Sequence, residues 1–250
     1  MLEDRLRAAG CVFPEEEAAL LRAAARDDDD LERMVAARVA GTPVEVVVGS
    51  VVLHGTRVVV APGVFVPRRR TTLVVRLGAA GLGPGDLVVD LCCGTGAVGA
   101  ALAGAVPGLV VHAADLDPAA VRCARRNLPP GRVHKGDLYD ALPAALRGRF
   151  ALLAVNAPYV PTEALALLPP EARLHEPALA LDGGADGLVV QRRVVAGAPA
   201  WLAPGGRLVL ETSAAQAPAT RALMRAAGLA ATVHRDEDLD ATVVVGALSG

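Results

Sequence analysis

Short apolar runs alternate with helix-like segments from about Leu73 to the end of the chain, and this alternation constrains the fold more than any other feature. The runs are DLVVDL, LVVHAADL, GRVHKGDL, FALLAVN, GRLVLE, LAATVHR and DATVVVGAL. Strands that alternate with helices form a mostly parallel α/β sheet covered by helices on both faces. Because ligands of such sheets bind beyond the carboxyl ends of the strands, the residues that follow each run are the first candidates for a site.

The first 72 residues have a different pattern, which predicts two further units. Three helices are expected, with helix-type signals at their ends: Leu2–Ala9, Glu15–Arg26 and Leu31–Ala40. Asp29 and Glu32 have the spacing of a capping box. The stretch VEVVVGSVVLHGTRVVVAPGVFVP is rich in β-branched residues and broken by glycines, which predicts a small antiparallel hairpin. We therefore expect a helical domain over residues 1–43, a hairpin linker over 44–72 and the main domain over 73–250.

The composition limits the classes of function. The 250 residues are 53% hydrophobic, so the chain can bury a full core. A net charge of -2 and 2% aromatic residues argue against nucleic acid as a partner, and the stretch PRRRTT at Pro67–Thr72 is interpreted as a solvated face. No apolar stretch approaches the roughly 18 residues of a membrane span, and no signal-peptide pattern is present. These features predict a cytoplasmic protein without a membrane partner.

The cysteines and histidines lack the spacing of metal ligands. The four cysteines form no C-x-x-C pair and adjacent cysteines seldom bridge, so reduced thiols are expected at Cys11, Cys92, Cys93 and Cys123. The five histidines are scattered and are interpreted as surface or structural residues. No metal is predicted.

A glycine-rich loop, CCGTG, follows the first strand of the main domain and precedes a helix. Such a loop presents backbone amides at a helix N-terminus to a ligand. Gly94, Gly96 and Gly99 satisfy G-x-G-x-x-G, and Asp115 follows about 20 residues later, as in nicotinamide-dinucleotide sites. An NAD(P)-dependent oxidoreductase is therefore one interpretation.

Asp90, on the strand just before this loop, favours a different cofactor. Its carboxylate would repel a pyrophosphate but suits a cation, and S-adenosylmethionine (SAM) carries an ammonium and a sulfonium group and no phosphate. In this interpretation Asp90 organises the loop near the methionine part, Asp115 holds the ribose and Asp137 receives the adenine amino group. A helix N-cap is an equally good interpretation of Asp137. The residues predicted to bind SAM are Asp90, Cys92, Cys93, Gly94, Thr95, Gly96, Asp115, Leu116, Asp137, Leu138 and Asn156.

The segment NAPYVPT ends the fourth apolar run of the main domain. Pro158 lacks an N–H group and restricts the residue before it, so the strand should end in a stiff, extended loop that carries Asn156 and Tyr159. A turn that merely ends a strand would use the same residue types. The segment alone therefore leaves a structural and a functional interpretation open.

The order of these motifs resembles that of the HemK/PrmC-type protein-glutamine N-methyltransferases over nearly the whole chain. The matching stretches are GTPVEVVVG, PGVFVPRRRT, DLCCGTGAVG, AADLDPAAV, GDLYDALP, NAPYVPT, HEPALALDGGADGL and LAPGGRLVLETSAAQ. The resemblance implies a Rossmann-like class I methyltransferase fold with a seven-stranded, mostly parallel sheet. It also implies SAM as the methyl donor, S-adenosylhomocysteine as the product, and a protein glutamine, such as one of a peptide-chain release factor, as the acceptor. The N-terminal helical domain would help to hold that protein.

The resemblance gives the catalytic role to Asn156, Ala157, Pro158 and Tyr159. An amide nitrogen is a poor nucleophile until its N–H groups are held, and the Asn156 side-chain oxygen and the Ala157 carbonyl can each accept one N–H. Pro158 would stiffen this geometry, and the Tyr159 ring would pack on the planar acceptor. No nucleophilic residue is required.

Three departures separate this chain from the family pattern. Cys92 replaces the first glycine of the loop, and we expect it to fit only if it keeps an ordinary backbone conformation. Ala157 replaces the first proline of an NPPY motif, and PRRRTT stands where the family carries a Pro-Glu-Thr-Glu-like run. The resemblance implies that His175, Glu176 and Pro177 form part of the wall of the acceptor pocket, and a simple loop turn is an equally good interpretation. The alternatives are N-methylation of a nucleobase or of a small-molecule amide or amine, an oxidoreductase, and a non-catalytic SAM-binding subunit.

Overall fold

The computed structural model describes residues 1–250. The α-helices are α1 (Leu2–Ala8), α2 (Pro14–Ala24), α3 (Asp28–Val39), α4 (Val44–Val48), α5 (Thr72–Ala79), α6 (Ala97–Ala105), α7 (Pro118–Ala124), α8 (Pro170–His175), α9 (Ala178–Leu181), α10 (Val189–Trp201) and α11 (Ala217–Ala226). The strands are β1 (Ser50–Leu53), β2 (Thr56–Val59), β3 (Leu87–Leu91), β4 (Val110–Asp115), β5 (Val133–Lys135), β6 (Phe150–Val155), β7 (Leu202–Thr212), β8 (Leu229–Asp236) and β9 (Ala241–Leu248).

Helices α1 to α4 pack around a small core of their own. Its buried members are Leu6, Cys11, Ala18, Leu21 and Val35. The expected capping box is wrong, because α3 begins one turn earlier and the Asp27 side chain accepts the hydrogen bond from the Asp30 N–H at 2.7 Å. The division into three units stays a prediction.

Helix α4 corrects one element of the sequence interpretation. Its five residues were expected in the hairpin because valine favours strands. Val44, Val47 and Val48 instead pack on the core of the N-terminal helices, and their spacing puts them on one helical face. Gly49, with a φ of 73°, ends the helix. Burial of this face outweighs the weak helix propensity of valine.

The hairpin itself forms from β1 and β2, which pair in antiparallel register. Leu53 and Val58 pack it into the core of the main domain, and Asn127 adds hydrogen bonds. Asn127 accepts from the Val59 N–H and donates to the carbonyls of Val59 and Thr95, each at 2.8 Å. The hairpin is thereby joined to the glycine-rich loop.

The main domain contains the expected seven-stranded sheet, in the order β5-β4-β3-β6-β7-β9-β8. Strands β3 to β7 are parallel, and β9 and β8 add antiparallel pairs at one edge. One apolar layer lies between the sheet and helices α5 to α7, and a second lies between the sheet and helices α10 and α11. The predicted class I methyltransferase architecture is therefore confirmed. Since β4, β3 and β6 are neighbours, their carboxyl ends meet at Asp115, Leu91 and Val155.

The segment LYDALPAAL after β5 is not the single helix that its sequence suggested. It forms two short 3-10 turns, Leu138–Ala141 and Ala144–Leu146. Pro143 lies between them, and proline interrupts a helix because it lacks an N–H group and clashes with the preceding turn.

Candidate active site

A cavity of about 650 Å³ opens at the carboxyl ends of β3, β4 and β6. This volume lies within the range of small-molecule sites, roughly 300–1,000 Å³. We name its two sides by their residues. The glycine-loop half contains residues 90–97, 115–117 and 137–138, and the NAPY half contains residues 67–71, 156–160 and 176–181.

The glycine-rich loop turns sharply between β3 and α6. Gly94 and Gly96 have φ values of 54° and 75°, in the left-handed region that favours glycine. Cys92 has a φ of 57°, so the expectation that it needs an ordinary backbone conformation is wrong. The loop imposes a left-handed conformation on a residue with a Cβ, which costs about 1–2 kcal/mol.

Asp90 lies buried at the end of β3, with 2% of its surface exposed. Its Oδ2 accepts a hydrogen bond from the Gly99 N–H in the first turn of α6 at 2.9 Å. Burial raises the pKa of Asp90 to about 8, and the Gly99 N–H opposes the rise only in part. Because one hydrogen bond offsets only part of the cost of burying the charged carboxylate, a cationic neighbour would stabilise it.

Asp115, at the end of β4, forms a hydrogen bond with the glycine-rich loop. Its Oδ2 accepts from the Gly94 N–H at 2.8 Å, and its Oδ1 accepts from the Asp117 N–H at 2.9 Å. Burial raises the pKa of Asp115, and these backbone donors oppose the rise. Each carboxylate oxygen retains a second lone pair for a ligand hydroxyl.

Asp137 and Leu138 line the far end of the same half, and Leu116 lies beside them with 48% of its surface exposed. Asp137 stands at the N-cap position of a 3-10 turn but makes no capping hydrogen bond. Its Oδ2 instead accepts from Nη2 of Arg193 in α10 at 2.8 Å. The capping interpretation is therefore wrong, and Arg193, which also lines the cavity, was missed.

Asn156 follows β6 and lines the cavity next to the start of the glycine-rich loop, because Val155 pairs with Leu91 at the end of β3. Its Nδ2 donates to Thr71 Oγ1 at 3.4 Å, and no hydrogen bond within the chain engages its Oδ1. The backbone carbonyl of Ala157, the next residue, also has no hydrogen-bond donor. Two acceptors are thus left free at the wall of the cavity.

The segment from Tyr159 onward is held by stretches that are remote in sequence. Gln216 Nε2 donates to the Tyr159 carbonyl at 2.9 Å. Val160 exchanges backbone hydrogen bonds with Leu181 and Gly183 of the EPALALDGGADGL stretch. A Cβ at Gly187 would lie 2.2 Å from the Tyr159 carbonyl oxygen, so only glycine fits there. These contacts hold NAPYVPT in its extended form.

Buried ion pairs form the outer wall of the NAPY half. The Glu176 side chain is 1% exposed, and its Oε1 accepts from Arg68 Nη2 at 2.6 Å and from the Val66 N–H at 3.1 Å. The Arg68 guanidinium also lies over the Phe65 ring, 5.1 Å from its centre. Arg70 lines the cavity without a hydrogen bond, and its Nε is buried. The solvated-face interpretation of PRRRTT is therefore wrong at Arg68 and Arg70.

The cysteines and two histidines have structural surroundings. All four cysteines are free thiols, and burial raises the pKa of both Cys92 and Cys93. His112 and His134 stack on adjacent strands with their ring nitrogens 2.9 Å apart, and burial lowers the pKa of His112 to about 4. None of the helices has the length and hydrophobicity that a membrane crossing requires.

Comparison with known proteins places this site in a family. Residues 56–168 match the methyltransferase small domain family. The chain is 40% identical over 205 residues to the release factor glutamine methyltransferase of Cereibacter sphaeroides, an alignment that covers 80% of this chain and 72% of the relative. The chain belongs to the release factor glutamine methyltransferase family. The predicted resemblance is confirmed.

Two further similarities bear on this methyltransferase. It is 39% identical over 203 residues to a 4-amino-L-phenylalanine/4-methylamino-L-phenylalanine methyltransferase of Streptomyces pristinaespiralis, over 78% of this chain and 69% of the relative. Its fold resembles a ribosomal protein L11 methylase from Lactobacillus delbrueckii subsp. bulgaricus, with a TM-score of 0.53, 15% identity, and coverage of 76% of this chain and 84% of that chain. Enzymes with different named acceptors therefore share this architecture.

Proposed function

We propose that this enzyme transfers a methyl group from SAM to the side-chain amide nitrogen of a protein glutamine, with a peptide-chain release factor as the substrate. The observation that carries the proposal is the pair of unengaged acceptors, Asn156 Oδ1 and the Ala157 carbonyl, in the same cavity as a glycine-rich loop that follows a buried carboxylate, Asp90. Family membership supports the same reaction.

The glycine-loop half fits SAM. Asp90 is buried and has a raised pKa, which suits the ammonium of the methionine part. Asp115 has lone pairs left for the ribose hydroxyls, and Asp137 with Leu138 and Leu116 would receive the adenine. SAM, when bound, supplies an electrophilic methyl group on a cationic sulfur. The chain itself has to hold the acceptor nitrogen in line with that group.

The NAPY half would hold the acceptor amide by its two N–H groups. A primary amide has two hydrogens on nitrogen, and the Asn156 Oδ1 and Ala157 carbonyl provide one acceptor for each. Both hydrogen bonds strengthen as positive charge develops on nitrogen, so they stabilise the transition state more than the bound substrate. Alanine in place of proline at position 157 keeps the backbone carbonyl, so this carbonyl can still accept one N–H of the amide.

An amino-acid amine is the second candidate acceptor, and one observation favours it. Arg70 lies in the NAPY half without a hydrogen bond, and its Nε forms a 3.6 Å ion pair with Glu211. The other N–H groups of the guanidinium are suited to a substrate carboxylate. The relative that is named as a 4-amino-L-phenylalanine methyltransferase acts on a molecule of this kind. A nucleobase has no carboxylate to offer this guanidinium.

One assay separates these acceptors. The purified enzyme is incubated with isotope-labelled SAM and, in separate reactions, a bacterial release factor or 4-amino-L-phenylalanine, and the methylated atom is identified by mass spectrometry. Methylation of a glutamine amide supports the proposal, and methylation of the amino acid alone supports the second candidate. Absence of transfer to either, with SAM bound, would contradict both.

A further inference from the structure

Glu211 is a buried carboxylate that the proposed chemistry does not use. It lies on β7, one residue beyond Leu210, which pairs with Val155 at the end of β6. Its side chain is 1% exposed. The register therefore places Glu211 beside Asn156 but one layer behind the cavity wall.

Glu211 is close to both ends of the NAPY segment. The Tyr159 hydroxyl donates to Glu211 Oε1 at 3.5 Å. Thr71, which is 2% exposed, accepts from Asn156 Nδ2 with its Oγ1 at 3.4 Å. Its hydroxyl neighbours the Glu211 carboxylate, whose Oε2 is buried without a hydrogen-bond partner. Arg70 Nε lies 3.6 Å from the same carboxylate. Thr71 Oγ1 accepts from Asn156, and its proton has no other acceptor within the chain, so that proton is available to the carboxylate.

This arrangement fixes the direction of each hydrogen bond. An ionised carboxylate can only accept, so in a hydrogen bond between Thr71 and Glu211 the hydroxyl is the donor. The Thr71 oxygen is then left as an acceptor, and only the NH₂ side of the Asn156 amide can bind it. The opposite side of the amide, Oδ1, is thereby turned towards the cavity, where it can accept a substrate N–H.

We propose that Glu211 and Thr71 form a polarity relay that orients the Asn156 amide for methyl transfer. Glu211 does not line the cavity and acts through Thr71, and Thr71, which does line it, acts through the Asn156 amide, so both are positioning residues. The inference rests on the proposed function, because a relay of this kind matters only if Asn156 Oδ1 accepts an N–H from the acceptor. Without the relay, a primary amide in a polar cavity can rotate by 180° and present two donors where an acceptor is needed.

The relay predicts a pH dependence with a definite sign. Burial raises the pKa of Glu211, and the neighbouring Thr71 hydroxyl, Arg70 guanidinium and Tyr159 hydroxyl oppose the rise. When Glu211 is protonated, it can donate a hydrogen bond to Thr71. The Thr71 hydroxyl is then free to donate to Asn156 Oδ1, so the Asn156 amide turns by 180° and points its NH₂ group towards the cavity. Turnover should therefore fall as the pH falls through the pKa of Glu211.

The test compares Thr71→Val, which removes the hydroxyl at constant shape, with Thr71→Ser, which keeps it. We expect Thr71→Val to lower kcat roughly 10- to 100-fold, as is found for outer-shell partners that orient ligand-binding side chains, and Thr71→Ser to restore most of the loss. Affinity for S-adenosylhomocysteine, measured by calorimetry, should stay unchanged in both. Glu211→Gln should lower kcat as well and remove the acid limb of the pH profile.

Thr72→Val is the matched control, because it makes the same chemical change at a neighbouring residue that does not line the cavity. The double variant Thr71→Val with Glu211→Gln should be no slower than the slower single variant, since both act through one chain of hydrogen bonds. A kcat of Thr71→Val equal to that of Thr72→Val would overturn the relay. So would a loss that Thr71→Ser does not restore.

A second measurement keeps failure of the relay distinct from failure of the proposed function. The side-chain amide signal of Asn156 in a ¹H–¹⁵N spectrum is assigned by its loss in Asn156→Asp. The relay predicts that this signal shifts in Thr71→Val and returns in Thr71→Ser, whether or not a glutamine is methylated. An unchanged signal in Thr71→Val overturns the relay, whereas an absence of glutamine methylation by the wild type overturns only the function.

Discussion

The two halves of the cavity are built in different ways. In the glycine-loop half, Asp90 and Asp115 accept hydrogen bonds from the backbone N–H groups of Gly99, Gly94 and Asp117, which lie 2 to 21 residues away in sequence. In the NAPY half, side chains from distant segments meet. Thr71 and Asn156 are 85 residues apart, and Arg68 and Glu176 are 108 residues apart.

This difference indicates which half can change its ligand. Backbone donors persist through most substitutions, so the glycine-loop half should tolerate sequence changes and keep its ligand. Side-chain contacts, in contrast, change with each residue. The NAPY half is therefore where the acceptor would differ between relatives. Four measurements test this contrast.

The largest effect is expected at Asn156. Asn156→Ala removes the proposed side-chain acceptor, and we expect turnover to fall about 100- to 1,000-fold, the range for loss of one transition-state hydrogen bond. Binding of SAM, measured by calorimetry, should remain, because the glycine-loop half is intact. Unchanged turnover would remove the NAPY half from the mechanism.

A smaller effect is expected at Asp115. Asp115→Ala removes the proposed ribose contact and the hydrogen bond from the Gly94 N–H. We expect SAM affinity to fall roughly 10- to 100-fold, because hydrogen bonds to charged groups contribute about 1.5–3 kcal/mol. Turnover at saturating SAM should change little. An unaltered SAM affinity in a calorimetric titration would refute the ribose assignment.

The pH dependence of SAM affinity tests Asp90. Burial raises the pKa of Asp90 to about 8, above its ordinary value, so the free protein holds this carboxyl protonated at neutral pH. A cationic ligand favours the ionised form, so binding should release a proton and tighten as the pH rises towards 8. Asp90→Asn keeps an acceptor for the Gly99 N–H and should lose this pH dependence. An identical pH profile in both proteins would exclude Asp90 as the cation-binding group.

The smallest effect is expected at Cys92. Cys92→Gly removes a Cβ from a left-handed position but adds freedom to the unfolded chain, so we expect a net gain of at most about 1 kcal/mol in the free energy of unfolding. Cys92→Ala removes the thiol while it keeps the Cβ, and it should gain nothing. Denaturant unfolding measures both. Equal stabilities of the glycine and alanine variants would show that the backbone at Cys92 is not strained.

The sequence predicted the fold and the NAPY segment well because their signals are local. The alternation of strands and helices identified the sheet, and Pro158 marked the end of β6. The errors at Cys92, Arg68 and Arg70 have a different origin. A left-handed backbone has no sequence signal when the residue is not glycine, and an arginine run looks solvated until its carboxylate partners are known.

Thr71, Glu211 and Gln216 were not predicted to act on the site. Each lies in a stretch that resembles the family, and that resemblance was the only signal that could have found them. Their pairing with Asn156 and Tyr159 depends on which strands are neighbours, and periodicity does not reveal strand order.

The sequence by itself determined the chain's architecture, its family and the two motifs that line the cavity, because hydrophobic periodicity and turn residues act over a few neighbouring positions. Only the tertiary structure decided which side chains meet behind those motifs. A buried carboxylate such as Glu211 orients whatever hydroxyl or amide the fold brings beside it, and that neighbour is set by the packing of the whole sheet.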